Sequence, residues 1–279
     1  MIAIELSKQL RRPRSWVTLT ALAVLAAGLT LVIGVSRAST SERIGDWGSV
    51  VTNTSGLTLP LIALSASILF LLPLTVAIFA GEPISGEASW GSLRYLLARP
   101  VPRWRVLLAK AAVAAGYSVL AVLVVVVVSM LTGIIAFGWR PLTVLDIQHT
   151  SPFIFASATF PPLTALGLVA LAAGYLVCML SSTFAFALFL STLTDRPFSA
   201  VAGGVGFGLV SRALDNIPGL HALSPWLPMT DAGSTLWTGF LTNPTQTGGL
   251  VHALLVQGAY TSVFLTAALV RFSRSDVLA

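Results

Sequence analysis

The sequence predicts an all-α integral membrane protein with six transmembrane helices. Of the 279 residues, 56% are hydrophobic and only 9% are charged, whereas soluble domains carry roughly 25% charged residues. Apolar runs recur along the chain, and several reach the about 20 residues that cross a bilayer. The charged residues lie between these runs, so no segment has the polar surface that a soluble domain requires.

The elements follow from these runs. The six spans are predicted at residues 16–35, 57–80, 106–137, 163–193, 198–214 and 250–270. Before them, Ile2, Leu6 and Leu10 recur every four residues with charges between them, which predicts an amphipathic helix on the membrane surface. A disordered basic tail is the alternative, and Pro13 ends or bends the helix. The first apolar run exceeds the about 7–15 residues of a signal-peptide core, which favours a retained span.

Charge predicts the orientation of the spans. Six spans place both termini on one side of the membrane, and the positive-inside rule makes that side cytoplasmic. Twelve of the 16 basic residues are then inside, namely Lys8, Arg11, Arg12, Arg14, Arg94, Arg99, Arg103, Arg105, Lys110, Arg196, Arg271 and Arg274. The other four, outside, are Arg37, Arg43, Arg140 and Arg212. The preference for Arg over Lys, with abundant Ala, Val, Gly and Leu, favours a GC-rich bacterial genome and hence a bacterial plasma membrane.

The ionisable residues argue against several classes of function. None of the ten acidic residues lies in the middle of a predicted span, although proton-driven carriers usually need an ionisable group at that depth. His149, His221 and His252 lack metal-ligand spacing. The sequence has no phosphate-binding loop and no nucleophile elbow. We therefore predict no catalytic, cofactor-binding or metal-binding residue, and the net charge of +6 reflects membrane orientation rather than a nucleic-acid partner.

The loop between the second and third predicted spans contains a short apolar helix face. Leu93, Leu96 and Leu97 have the i, i+3, i+4 spacing of one face of a helix. Ser92 is placed to cap its start, and Pro100 ends it. An apolar face in a cytoplasmic loop is expected to lie either on the membrane surface or in a groove of a partner protein.

This loop resembles that of the permease subunits of ATP-binding-cassette transporters of the type-two export class. Those proteins have six spans, an N-terminal elbow helix and a cytoplasmic coupling helix whose loop contains Glu, Gly-Thr-Leu, a leucine-rich turn, Pro-x-x-Arg and Lys. Ser92 stands where the family has Thr and keeps the hydroxyl group. The ATPase-coupling residues that the resemblance implies are Glu82, Glu87, Gly91, Ser92, Leu93, Leu96, Leu97, Pro100, Arg103 and Lys110.

The resemblance implies one transmembrane permease domain over residues 1–279. Its parts are an elbow helix at 1–15, a cytoplasmic coupling loop at 81–105 and an extracytoplasmic connection at 215–249. Glu87 and Arg103 are expected to fix the angle of the coupling helix by ionic contacts at the rim of a partner. The implied partners are cytoplasmic ATPase subunits, which bind ATP and Mg, and a second permease chain that is identical or homologous. This chain itself holds no cofactor.

The spans suggest what such a permease exports. Their small, hydroxyl and aromatic side chains suit an amphipathic or hydrophobic substrate such as a drug, an antibiotic or a lipid-like molecule. The candidate translocation-path residues are Ser65, Phe70, Thr75, Phe79 and Phe207. Gly204 and Gly208 have the four-residue spacing that lets helices approach closely, either within one chain or between two copies. A six-span secondary transporter without an ATPase, or a membrane-embedded enzyme, is the alternative.

Overall fold

The fold is a bundle of long helices with one small β-hairpin. The computed structural model describes residues 2–39, 55–91, 102–147, 155–215, 217, 219, 223, 225–228 and 247–274. In these residues the elements are α1 (Ile2–Leu10), α2 (Pro13–Ser39), α3 (Leu59–Ser67), α4 (Leu71–Ser89), α5 (Arg103–Phe137), β1 (Leu142–Ile147), β2 (Phe155–Phe160), α6 (Pro162–Leu193), α7 (Pro197–Asp215) and α8 (Thr247–Arg274).

The helices have the lengths and composition of a protein that crosses the membrane several times. Within the described part of the chain, α2, α5, α6, α7 and α8 are each long and apolar enough to span a bilayer. The pair α3 and α4 meets the same test together but is bent by 60° at a short break. Counting this pair as one span gives six, in agreement with the number predicted from sequence.

The second span is not the continuous helix that the sequence predicted over 57–80. It is broken between Ser67 and Leu71, and Phe70 at the break has φ −146° and ψ −45°. Pro73 explains the break, because proline lacks the N–H that would bond the carbonyl of Leu69, and its ring clashes with that carbonyl. The apolar run predicted the span correctly, but hydrophobicity alone gave no sign of the break that Pro73 causes.

The loop predicted at 81–105 is shorter in the structure, because α4 continues through Pro83 to Ser89 and α5 already begins at Arg103. A side chain of α6 supports this continuation. The backbone N–H groups of Ile84 and Ser85 donate to Ser191 Oγ at 3.3 and 3.0 Å. Such a hydroxyl from a neighbouring helix compensates for a disturbed helical hydrogen-bond ladder.

The bundle is all-helical as predicted, and one connection between two spans also contains a short pair of strands. The segment after α5 forms an antiparallel hairpin, in which β1 pairs with β2 from Leu142 opposite Phe160 to Ile147 opposite Phe155. β-Branched residues favour strands, and Thr143, Val144 and Ile147 supply them in β1. The hairpin lies between two spans, so it leaves the helical character of the membrane region unchanged.

Helix α6 is central to the bundle. It packs against α4, α7 and α8, while α5 packs against α2, α3 and α4. One group of buried apolar residues includes Leu64, Leu72 and Leu176. A second group, near the end of the bundle where α4 stops and α5 starts, includes Ile84 and Leu107. The second group lies next to the charged residues described below.

Candidate functional site

Four charged residues from three helices meet where α4 ends and α5 begins. Lys110 Nζ of α5 lies 2.7 Å from Glu87 Oε1 of α4 and 3.0 Å from Glu5 Oε1 of α1. Lys8 Nζ of α1 also contacts Glu87 Oε1. We call Glu5, Lys8, Glu87 and Lys110 the charge cluster. It joins residues that are 79 and 105 positions apart in the chain.

The charge cluster is largely shielded from solvent. The side chains of Lys110 and Glu87 are 2% and 4% exposed, and those of Glu5 and Lys8 are 14% and 38% exposed. Two ammonium groups balance two carboxylates, which is the arrangement that buried ions require. Removing one member would leave another charge with fewer partners at a site that is largely shielded from water.

Helix α1 faces the bundle with its polar side. Glu5, Lys8 and Gln9 point inward, whereas the apolar Ile2 and Leu6 are exposed. Ile4 and Leu10 are exposed as well. This distribution is the reverse of that on a helix covering a soluble protein. It is typical of a helix that has polar contacts with protein on one side and an apolar environment on the other.

The junction between α1 and α2 is also held by polar contacts. Trp16 Nε1 donates to the carbonyl oxygen of Leu10 at 2.8 Å, so it satisfies a group at the C-terminus of α1. Ser15 Oγ donates to Gln9 Oε1 at 3.2 Å. Pro13 does not extend α1 but forms the first residue of α2, a position that tolerates proline. The N-terminal helix predicted from sequence is therefore present and ends before Pro13.

The described members of the predicted coupling set lie at this same end of the bundle. Glu87 and Lys110 belong to the charge cluster, and Glu82 Oε1 lies 3.4 Å from Arg14 Nη1. Gly91 follows α4 with φ +68°, a conformation that glycine adopts without strain, and Arg103 is the first residue of α5. The remaining predicted coupling residues lie outside the described residues, namely Ser92, Leu93, Leu96, Leu97 and Pro100.

The location of Glu87 changes its expected role. The sequence suggested that this carboxylate touches a partner protein at an exposed rim. In the structure Glu87 is buried and contacts two lysines of its own chain. Sequence reasoning also missed Glu5 and Lys8 as members of the site. The available signal was that Lys8 and Lys110 are the only lysines in the sequence, and both are in the charge cluster.

The five candidate path residues are not brought together. Phe79 and Thr75 are buried in α4, where the Phe79 ring lies 5.3 Å from that of Tyr117. Ser65 and Thr75 donate their hydroxyls to carbonyls of their own helices. Phe70 is exposed at the break between α3 and α4. Phe207 lines a sizeable groove.

That groove lies over α6, between α7 and α8. Its volume is about 550 Å³, and Phe186, Gly206, Phe207 and Tyr260 are among the residues that line it. The ring centroids of Phe186 and Phe207 are 4.6 Å apart. Phe264 packs on Phe186, at 4.8 Å between ring centroids. Sequence reasoning missed Phe186, Tyr260 and Phe264. Aromatic residues are common in apolar spans, and the direction in which each ring points depends on the packing of the helices.

Gly204 makes a close contact within one chain. A Cβ atom at this position would lie 2.7 Å from Ala187 Cβ of α6 and 3.1 Å from Ala77 Cβ of α4. Gly208 is buried one turn further along α7. Of the two locations that the sequence left open, the structure therefore shows Gly204 at an interhelical contact inside the protomer.

Comparison with known proteins adds one finding to this geometry. Residues 1–194 match the family model described as "ABC-2 family transporter protein". The match covers more than half of the chain and includes α1 to α6, and with them the whole charge cluster. None of the curated proteins matches the chain.

Proposed function

The chain belongs to the ABC-2 family of transporter proteins, and on this premise we propose that it is the permease subunit of an exporter driven by a separate cytoplasmic ATPase. The observation that carries the proposal is the meeting of Glu87 and Lys110 at the base of the segment 90–102. Both residues belong to the coupling set that the resemblance implies, one on each side of this segment, and the family match includes both.

The length of α5 and the position of its charged residues support a cytoplasmic location for the charge cluster. At about 1.5 Å per residue, the 35 residues of α5 extend about 52 Å, well beyond the about 30 Å of a hydrocarbon core. Arg103, Arg105 and Lys110 lie in its first turns, and no charged residue follows up to Phe137. The excess length therefore belongs at the charged end, which the positive-inside rule assigns to the cytoplasm.

Exposed aromatic residues near both ends of the bundle agree with this orientation. Trp16 and Trp104 are exposed at the charged end, and Trp139 and Trp226 are exposed at the other end. Tryptophan is enriched where a membrane protein passes the headgroups on each side. The exposed apolar side of α1 suits the cytoplasmic headgroup region, so α1 serves as the elbow helix.

We call residues 90–102 the coupling segment, and in this proposal it receives force from an ATPase. It joins the end of α4 to the start of α5, and both helices continue into the membrane region. The apolar helix face predicted from Leu93, Leu96 and Leu97 would dock in a groove on the ATPase. ATP and Mg bind to that partner, and closure of the ATPase pair moves α4 and α5 through the segment. A second permease chain, identical or homologous, completes the translocation path.

The groove between α7 and α8 supports an amphipathic or hydrophobic substrate. Its volume is within the range of about 300–1,000 Å³ that is typical of small-molecule sites. Its aromatic rings offer stacking surfaces, and hydroxyls of Ser211 and Tyr260 are the polar side-chain groups among its described lining residues. Such a site favours a molecule with a large apolar part and few charges.

Two leucines of the coupling motif provide the test. We expect the double variant Leu96→Ala/Leu97→Ala to insert normally, because the segment lies outside the bilayer. Its cassette ATPase should co-purify poorly or hydrolyse ATP without transport, since truncating an apolar anchor at a hot spot costs about 2 kcal/mol or more. Transport is measured in inverted membrane vesicles with a fluorescent amphipathic dye. Leu108→Ala, at an exposed position on α5, is the matched control.

Two results would count against the proposal in different ways. If no cassette ATPase co-purifies with the wild-type chain, the ATP-driven permease is the wrong function and a secondary transporter becomes the better candidate. If the double variant binds its ATPase fully and transports normally, the chain uses another surface for coupling.

A further inference from the structure

We propose that Glu5 and Lys8 are positioning residues that lock α1 to α4 and α5, so that the elbow helix moves as one body with the adjoining ends of those two helices. This inference rests on the proposed function for its role in transport. The lock itself follows from the contacts of the charge cluster. It assigns a mechanical task to the N-terminal helix beyond contact with the membrane surface.

The geometry makes Glu87 and Lys110 a shared anchor. Lys110 Nζ is bonded on one side to Glu87, within its own pair of membrane helices, and on the other side to Glu5 of α1. Lys8 closes the arrangement by contacting the same oxygen of Glu87. Helix α1 therefore makes two ionic contacts with the anchor. The carboxylate of Glu5 contacts Lys110, and the ammonium group of Lys8 contacts Glu87. A rotation of α1 away from the bundle would break both contacts together.

Burial makes these contacts restrictive. Charge-assisted hydrogen bonds are stronger than those between neutral groups, and the anchor is shielded from water and salt, which weaken exposed ion pairs. The outward side of α1 has apolar residues that would contact lipid, which gives little resistance to sliding. The charge cluster is thus a directional link that ties α1 to both α4 and α5.

The choice of lysine fits this arrangement. An ammonium group is a compact charge with three donors, so Lys110 Nζ can bond carboxylates that approach from two different helices. A planar guanidinium would present its donors in a fixed fork. The other 14 basic residues in the sequence are arginines, and the two lysines both occupy this one site.

A distance measurement between spin labels tests the lock. Labels at Ser7→Cys on α1 and Ser89→Cys at the end of α4, both at exposed positions, are introduced into a Cys178→Ser background in the full-length protein in nanodiscs. We expect one narrow distance distribution by pulsed electron spin resonance. In Glu5→Gln/Lys8→Gln the distribution should broaden, because the locked population falls by roughly tenfold for each charge-assisted bond lost.

Two further variants separate the ionic lock from general damage. Lys8→Arg, which keeps the charge, should retain most of the narrow component when combined with native Glu5. Arg11→Gln, which removes an exposed charge at the end of α1, should leave the distribution unchanged. In the complex with its ATPase, Glu5→Gln/Lys8→Gln should transport less dye for each ATP that is hydrolysed.

The outcomes are distinct for the two proposals. A narrow distribution in Glu5→Gln/Lys8→Gln overturns the lock, whether or not an ATPase binds. A distance between the labels that changes in the wild type when ATP is trapped by the ATPase also overturns it, because α1 then moves independently. If no ATPase co-purifies, the proposed function fails, while the measurement on the permease alone still decides whether the lock exists.

Discussion

The charged end and the aromatic end of the bundle are held together in different ways. At the charged end, a few directional contacts define the position of three helices, with Lys110 Nζ bonded to carboxylates of α1 and α4. At the aromatic end, rings such as Phe186 and Phe207 pack over α6, and a groove of about 550 Å³ remains between α7 and α8. Ring packing has broad geometric preferences, whereas an ionic lock permits few arrangements.

This difference matches what each end is proposed to do. Coupling requires helices that move together, and a buried cluster of paired charges resists relative motion. Substrate passage requires walls that adapt to different molecules, and apolar side chains can repack with a smaller loss of energy. We therefore expect substitutions at the charged end to reduce stability and coupling, and those that fill the groove to affect transport alone.

The largest expected effect comes from removing the central ion of the charge cluster. Lys110→Met removes the ammonium group that Glu5 and Glu87 share, and it leaves Glu87 in contact with Lys8. Removing one partner of a buried ion pair lowers the free energy of unfolding by about 3–5 kcal/mol. The apparent melting temperature in detergent should therefore fall clearly. Scanning fluorimetry of the purified protein measures this change.

A control and a compensating variant sharpen this prediction. Arg11→Gln removes a positive charge from an exposed position on the chain and should leave the melting temperature nearly unchanged. Adding Glu5→Gln to Lys110→Met should recover part of the lost stability, because position 5 then has no negative charge that requires Lys110. A melting temperature of Lys110→Met equal to that of the wild type would mean that the cluster does not stabilise the fold.

A smaller effect is expected from filling the contact at Gly204. A leucine there would force α7 away from Ala187 and Ala77, where the first side-chain carbon already has no room. Overpacking typically costs about 1–3 kcal/mol, so assembly and melting temperature should decrease. Gly206→Leu is the matched control, because a Cβ at Gly206 meets no atom within 4 Å. Equal melting temperatures for the two variants would show that the close approach at Gly204 is unimportant.

Much of the architecture was accessible from sequence because a bilayer imposes simple rules. Apolar length predicted six spans, and α5, α6 and α7 begin and end within a few residues of the predicted limits. The break before Leu71 required recognising that Pro73 acts on a carbonyl four residues earlier. The continuation of α4 through Pro83 depends on Ser191, more than 100 residues away. Local patterns contain no information about such a partner.

The candidate site was only partly predictable for the same reason. The loop motif contained Glu87 and Lys110, but a motif gives no indication of whether a carboxylate points toward a partner or into its own chain. Glu5 and Lys8 appeared to be ordinary charges of a surface helix, since their polar side was expected to face water. The structure shows that this side faces the bundle, so the two charges are available to the anchor.

Accessibility of the two ends from outside the cell tests the central claim most directly. Ser89→Cys marks the charged end and Pro141→Cys, just after α5, marks the other end, each at an exposed position in a Cys178→Ser background. On intact cells stripped of any outer barrier, a membrane-impermeant maleimide should label Pro141→Cys and should label Ser89→Cys only after the cells are opened. Labelling of Ser89→Cys on intact cells, with Pro141→Cys protected, would place the charge cluster and the coupling segment away from any cytoplasmic ATPase and contradict the account.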